Sequence, residues 1–226
     1  MTKSLQAVLF DVDGTLVDTN YLHTVCWWEA FRQLGYDVPM AQIHRAIGMG
    51  SGRLLDALLP GDRDRDQDGT VRAAHTALYA TYWTRQRPLP GAPDLLRACR
   101  GQGWRVVLAS SADEREFRAL RAVLDAEDAI DAATSSAEVE QSKPAPDLVQ
   151  VALDKAQVPA DAAVFVGDTV WDVQACAKAG VVCIGLLSGG VGRDELLGAG
   201  AAAVYDDPAA LLASMPDSIV GRGSGD

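Results

Sequence analysis

The sequence has few basic residues for its size. It contains 20 Lys and Arg against 31 Asp and Glu in 226 residues, which gives a formal net charge of −11. Because an acidic chain repels the phosphate backbone of DNA and RNA, we expect no nucleic-acid partner. A small anionic substrate would meet the same repulsion unless a metal ion or a nearby lysine reverses the field inside its site.

Cysteines are also few. The four present, Cys26, Cys99, Cys176 and Cys183, show neither a Cys-x-x-Cys pair nor the spacing of a metal site. This pattern is typical of reduced, buried thiols in a cytosolic protein.

Long hydrophobic runs are absent. The apolar stretch near the start, residues 7–10, is far too short for a signal peptide, and no later stretch has the length of a membrane span. We therefore expect a soluble, cytoplasmic protein with no membrane partner. The remaining composition, 48% hydrophobic and 23% charged, is ordinary for a globular chain that buries a sizeable core.

Short apolar runs predict the buried strands of a parallel sheet. They cover residues 7–10, 106–109, 163–166 and 181–187. Helical patterns separate them at residues 94–100, 114–124, 146–156 and 170–179. The alternation of strands and helices predicts an α/β fold with a Rossmann-like parallel sheet core.

The segment between residues 18 and 87 interrupts this alternation. It predicts helices at residues 21–34, 41–47, 52–59 and 71–87, and no strand. Helices inserted after the first strand predict a cap over the core. We therefore assign residues 1–17 and 88–226 to an α/β catalytic core and residues 18–87 to an α-helical cap domain. Residues 87–91 would form the return hinge, and residues 221–226 are expected to be disordered.

Side chains capable of chemistry follow three of the predicted strands. They are Asp11 and Asp13 after the first, Ser110 and Ser111 after the second, and Asp168, with Asp172 four residues on, after the third. Lys143 stands just before a predicted helix. Since ligands of open α/β sheets bind beyond the carboxyl ends of the strands, we expect these groups to converge at one edge.

A cluster of carboxylates needs a compensating charge, because like charges repel. A hard divalent cation provides that charge, and oxygen ligands suit magnesium. Taken alone, each Asp also suits a turn or a helix cap, and Asp168 or Thr169 would cap the helix at residues 170–179. Capping does not account for Asp11 and Asp13 on either side of Val12. The set therefore predicts a Mg²⁺ cofactor.

The run Phe10-Asp11-Val12-Asp13-Gly14-Thr15-Leu16-Val17-Asp18-Thr19 closely resembles the first motif of the haloacid dehalogenase superfamily of phosphotransferases. Asp, Asp, Gly and Thr at these offsets would arise by chance about once in 10⁵ starts. The other motifs follow in family order: Ser110 after a strand, then Lys143, then Gly167 to Asp172. The resemblance covers the whole chain, and residues 18–87 are similar to the helical cap of the family.

The resemblance implies roles for the acidic residues. Asp11 would be the nucleophile that forms an aspartyl-phosphate intermediate. Asp11 and Asp168 would bind magnesium through their side chains, and Asp13 through its backbone carbonyl. The Asp13 side chain would protonate the leaving oxygen and later deprotonate the attacking water. Asp172 would orient a metal-bound water or Lys143.

Other residues would contact the substrate. By the same resemblance, Ser110 and Lys143 would bind the transferring phosphoryl group. Further candidates for substrate contact are Gly14, Thr15, Ser111, His23 and Arg53. We expect the remaining histidines and the tryptophans of the cap to be structural: His44, His75, Trp27, Trp28 and Trp83.

Asp13 also separates two branches of the superfamily. Its dehalogenases lack an acid–base Asp at this position, since a halide leaving group needs no proton whereas an alkoxide does. We therefore expect a phosphatase acting on a small phosphorylated metabolite, similar to phosphoglycolate phosphatases. Two alternatives stay open, a sugar phosphomutase of the β-phosphoglucomutase type and a non-hydrolytic phospho-acceptor or binding module. The sequence does not indicate which oligomeric state the protein adopts.

Overall fold

The computed structural model describes residues 6–134 and 138–221. Its strands are β1 (Ala7–Phe10), β2 (Arg105–Leu108), β3 (Ala132–Ala133), β4 (Ala163–Gly167), β5 (Val182–Leu186) and β6 (Ala203–Tyr205). They form one parallel sheet in the order β3-β2-β1-β4-β5-β6, which confirms the predicted α/β fold. Beyond Gly221, the tail predicted to be disordered lies outside the described residues.

Two strands, β3 and β6, are absent from the sequence prediction. β3 is two residues long and β6 three, so neither is long enough for a hydrophobic period to appear. Both lie at an edge of the sheet, where β3 pairs with β2 and β6 pairs with β5.

Four cap helices follow β1 in the chain. They are α1 (Asn20–Gln33), α2 (Met40–Ala46), α3 (Ser51–Leu58) and α4 (Asp68–Ala80). Their apolar faces enclose a separate hydrophobic cluster that includes Phe31 and Leu55. The predicted helix over residues 71–87 is wrong at its end, because a 3-10 turn at Trp83–Arg85 follows α4. Pro88 disfavours helical backbone immediately before it.

The core helices cover both faces of the sheet. They are α5 (Ala92–Gly101), α6 (Glu114–Leu124), α7 (Asp147–Ala156), α8 (Val170–Ala179), α9 (Arg193–Ala199) and α10 (Pro208–Ala213). Side chains of β1 alternate between the faces. Val8 and Phe10 pack in the cluster under α5, α6 and α10, whereas Ala7 and Leu9 pack in the cluster under α7, α8 and α9.

The chain enters and leaves the cap at one place. Asp18 N donates to Arg87 O at 3.1 Å, and Leu89 N donates to Leu16 O at 2.8 Å. An antiparallel bridge joins Val17 to Pro88 between these bonds. On this pairing we propose the predicted boundaries, with residues 18–87 as the cap domain and residues 1–17 and 88–226 as the core.

Two properties bear on the expectations about thiols and membranes. The four cysteines are free and buried, as predicted. Among the described residues, no helix has both the length and the apolar character required to cross a membrane.

The register of the central strands sets the position of the site. Phe10 at the end of β1 pairs with Leu108 on one side and Val166 on the other. The residues that follow these three positions therefore emerge together at the carboxyl edge of the sheet.

Candidate active site

Three carboxylates and one ammonium group meet at the carboxyl edge of the sheet. Lys143 Nζ lies 2.8 Å from Asp11 Oδ1 and 2.6 Å from Asp172 Oδ1. Oxygens of Asp11, Asp168 and Asp172 lie within 4.8 Å of one another. All four residues are buried. The structure thus brings together four residues that the sequence places in three separate motifs.

The charges of this cluster do not balance. When ionised, the three carboxylates and one ammonium carry a net charge of −2. Burial raises the pKa of Asp11 well above its ordinary value, although the Lys143 ammonium opposes the shift. Burial and the Asp172 charge raise the pKa of Asp168 to about 7. A divalent cation would balance the cluster, and an all-oxygen donor set suits magnesium, so these residues fit the predicted metal.

Thr169, rather than Asp168, caps α8. The Asp172 backbone N–H donates to Thr169 Oγ1 at 3.3 Å, and the Thr169 backbone N–H donates to Asp172 Oδ2 at 3.0 Å. This capping box fixes the Asp172 side chain with its other oxygen against Lys143. Asp168 takes no part in this helix cap, so its side chain is available to the site.

Asp168 is held on both oxygens. Thr15 Oγ1 donates to Oδ1 at 2.8 Å, and Asn20 Nδ2 donates to Oδ2 at 2.7 Å. Thr15 and Gly14, which were predicted to contact substrate, lie beside Asp168 instead of lining the cavity described below. Asn20 was missed from the sequence, because its only signal is that it directly follows the first motif.

His23 of α1 reaches from the cap to two core carboxylates. His23 Nε2 lies 3.3 Å from Asp13 Oδ1 and 3.6 Å from Glu116 Oε1, and Thr19 Oγ1 donates to Asp13 Oδ1 at 2.7 Å. Burial acts to lower the pKa of His23, but the bond to Asp13 and its charge raise it above the ordinary value. Burial acts to raise the pKa of Asp13, but His23 lowers it below the ordinary value. The pair therefore favours an imidazolium beside a carboxylate.

Behind His23 lies a stack of rings from α4 and α1. His23 Nδ1 lies 3.2 Å from His75 Nε2, and the His23 ring stacks on Tyr79 with 3.9 Å between centroids. His75 stacks in turn on Trp27 at 4.1 Å. Burial lowers the pKa of His75 to about 2, so His75 is neutral and accepts from an imidazolium.

His44 and His75, which we expected to be structural, each have a partner outside their own helix. His75 contacts His23, and His44 Nε2 lies 2.9 Å from Gly189 O across the boundary between cap and core. Both partners come from distant parts of the chain, which a helical pattern does not indicate.

The two serines after β2 differ in exposure. Ser110 is buried, and its Oγ accepts from the Ala112 backbone N–H at 3.1 Å. Ser111 is exposed and lines the cavity. Glu116, on the helix that follows, also lines it, and burial raises the pKa of Glu116 to about 7.

A cavity of about 260 Å³ lies between the cap and this edge of the sheet. Asp11, Asp13 and Lys143 are part of its wall, and the loop at residues 47–51 lines the cap side. Arg72 of α4 also lines it and has no ion pair among the described residues. Arg53, the cation predicted to contact substrate, is exposed outside the cavity, with Nη2 3.3 Å from Gln141 Oε1.

Comparisons with known proteins agree on one family. A model of the haloacid dehalogenase-like hydrolase family matches residues 5–180. The phosphoglycolate phosphatase of Rhodospirillum rubrum is 33% identical over 220 residues, which cover 91% of this chain and 89% of that protein. A hydrolase from Pseudomonas syringae superposes with a TM-score of 0.89 at 31% identity and covers 94% of this chain and 98% of its own.

A β-phosphoglucomutase from Clostridium difficile superposes with a TM-score of 0.78 at 19% identity, covering 90% of this chain and 92% of its own, which is a likeness of fold alone. The predicted enzyme class and family resemblance are confirmed. Because the family model spans most of its length, the chain belongs to the haloacid dehalogenase-like hydrolase family.

Proposed function

We propose that the protein is a magnesium-dependent phosphatase that hydrolyses a small phosphate monoester through an aspartyl-phosphate on Asp11. The observation that carries the proposal is the buried Lys143 ammonium between Asp11 and Asp172, beside Asp168 and on the wall of the cavity. A nucleophilic carboxylate, a fixed cation and surplus negative charge for a metal are the parts that phosphoryl transfer needs.

Asp11 and Asp168 would hold the metal by side chain and Asp13 by its backbone carbonyl. The chemistry that bound magnesium supplies is neutralisation of charge at Asp11 and at the phosphoryl oxygens. Lys143 supplies a second, fixed positive charge against the same oxygens, and Asp172 holds that ammonium in place. Ser110 and Ser111, which follow β2, would bind the phosphoryl group.

In the first step Asp11 attacks phosphorus, the bond to the leaving oxygen breaks, and that oxygen takes a proton from Asp13, which receives it from the His23 imidazolium. In the second step water attacks the phosphorus of the aspartyl-phosphate, the bond between phosphorus and Asp11 breaks, and inorganic phosphate leaves. Asp13 removes a proton from the water and returns it to His23. The Asp13–His23 contact of 3.3 Å supports this exchange, because the pair shares one mobile proton next to the reacting oxygens.

The cavity favours a small substrate. Its volume of about 260 Å³ suits a compact metabolite, and Arg72 is a cation on the cap side without an ion pair in the described parts of the chain. The relative from Rhodospirillum rubrum is named for phosphoglycolate, which carries a carboxylate besides its phosphate. We propose a substrate of that kind, with Arg72 facing the second anionic group. The cytoplasmic location stays a prediction.

Turnover tests the proposal. We expect repeated release of inorganic phosphate from p-nitrophenyl phosphate and from members of a panel of phosphorylated metabolites, abolished by a chelator and restored by magnesium. Asp11→Asn should lower kcat by more than about 10³-fold, while Asp37→Asn, a matched change at an exposed surface carboxylate, should not.

Release of one p-nitrophenol per enzyme, with the phosphoryl group retained on the protein and no further turnover, would indicate a phospho-acceptor and contradict the proposal. The phosphomutase alternative shares the core residues, and conversion of a hexose 1-phosphate into its isomer instead of inorganic phosphate would favour it.

A further inference from the structure

Asn20, the first residue of α1, occupies a space that two glycines create. The residue is only 3% exposed. A Cβ at Gly14, which has a φ of +73°, or at Gly189 would collide with the Asn20 amide and with the Asp168 carboxylate. The chain therefore keeps side-chain atoms out of both positions and lets Asn20 and Asp168 approach each other.

The orientation of the Asn20 amide is fixed by what surrounds it. Nδ2 donates to Asp168 Oδ2 at 2.7 Å and to Gly189 O at 3.3 Å. Turning the amide over would set its carbonyl oxygen against two acceptors, so the NH₂ group must face them. As a result, Asn20 Oδ1 is buried and finds no hydrogen-bond partner among the residues that the structure describes. A buried unpaired acceptor reduces stability, and its presence beside a carboxylate cluster indicates a functional constraint.

We propose that Asn20 is a positioning residue for magnesium binding, which acts by fixing the carboxylate of Asp168. The inference rests on the proposed function, in which Asp168 is a metal ligand. Thr15 from the core and Asn20 from the cap each donate a hydrogen bond to one oxygen of Asp168. Together these bonds prevent the carboxylate from rotating about the Cβ–Cγ bond. The affinity for magnesium then depends on a residue of the cap, at the N-terminus of α1.

Removal of a group that orients a metal ligand typically weakens metal affinity by about 10–100-fold. Asn20→Ala and Asn20→Ser both lose the bond to Asp168 and fit the space between the glycines. Thr24→Ala is the matched control, because Thr24 is a buried polar residue one turn along α1 whose hydroxyl donates to Asn20 O at 2.9 Å rather than to Asp168.

The experiment titrates each purified full-length protein with magnesium chloride in a calorimeter, after chelation and dialysis. Circular dichroism and thermal unfolding in EDTA establish that each variant is folded. We expect the dissociation constant for magnesium to rise about 10–100-fold in both Asn20 variants and to stay within about twofold in Thr24→Ala. Activity of the Asn20 variants should return at saturating magnesium, because the catalytic groups remain.

The other possible outcomes distinguish failure of the Asn20 role from failure of the proposed metal site. Asn20 variants that bind magnesium like the wild type would overturn the positioning role and leave the proposed function standing. Folded wild-type protein that binds no magnesium would overturn the proposed metal itself. Loss of fold in both Asn20 variants, with Thr24→Ala intact, would assign Asn20 to stability and also overturn the inference.

Discussion

Replacing Lys143 by Met tests the charge balance at the centre of the site. Methionine has nearly the length of lysine but lacks the ammonium. The change would leave Asp11 and Asp172 without the cation that lies 2.8 Å and 2.6 Å from them, and the net charge of the cluster would fall from −2 to −3 when all groups are ionised.

The expected loss of stability follows from burial. Lys143 is 3% exposed, and removing one partner of a buried ion pair costs about 3–5 kcal/mol because the remaining charge is uncompensated. Magnesium should recover part of that loss, since it would neutralise the same carboxylates. Catalysis should suffer separately, by about 10²–10³-fold in kcat, through loss of the charge that faces the phosphoryl oxygens.

Urea unfolding of Lys143→Met with EDTA and with magnesium measures the first effect, and steady-state turnover measures the second. Lys155→Met is the control, because Lys155 Nζ lies 2.7 Å from Glu138 Oε1 but is 30% exposed, and such a pair contributes about 0–1 kcal/mol. Equal stability losses for the two variants, or no recovery with magnesium, would refute the reasoning.

Three further predictions concern the surroundings of the reacting groups. Asp13→Asn should still allow an activated donor to phosphorylate Asp11 but slow hydrolysis of the product in rapid-quench experiments; equal slowing of both half-reactions would count against its acid–base role. Burial raises the pKa of Glu116 in the folded protein to about 7, above its ordinary value of 4.5, so the stability that its protonated carboxyl contributes is lost as pH rises from 4.5 through 7. Between pH 5 and 8, the free energy of unfolding of Glu116→Gln should therefore decline by about 2 kcal/mol less than that of the wild type. The same pH dependence in both proteins would contradict the raised pKa. Arg72→Ala should raise KM about tenfold for substrates with a second anionic group but not for p-nitrophenyl phosphate, with Arg53→Ala as the comparison; the reverse pattern would assign the contact to Arg53.

The sequence predicts the parallel core because each strand and helix is indicated by a hydrophobic pattern within a short stretch of the chain. Runs such as residues 7–10 and 163–166 are apolar throughout, since strands of a parallel sheet are covered on both faces. Once the strands are parallel, the position of Asp11 and Asp168 at one edge follows from topology alone. The edge strands β3 and β6 carry no such signal, because two or three residues show no period.

The sequence does not predict the groups that approach the site from other elements. Asn20, Glu116 and Arg72 lie on helices where a polar residue is ordinary, and only the packing of cap against core brings them to the cavity. The same packing leaves Arg53, which was predicted to contact substrate, outside the cavity and next to Gln141. Single positions in a cap are therefore the weakest part of a prediction from one sequence.

The most direct test of the account is whether phosphate becomes covalently attached to Asp11 during turnover. Acid quenching of the enzyme with substrate and magnesium, followed by peptide mass spectrometry, should find one phosphoryl group on the peptide that contains Asp11, sensitive to hydroxylamine and absent from Asp11→Asn. Full turnover with no phosphorylated Asp11 at any quench time, or the same label in Asp11→Asn, would contradict the proposed mechanism.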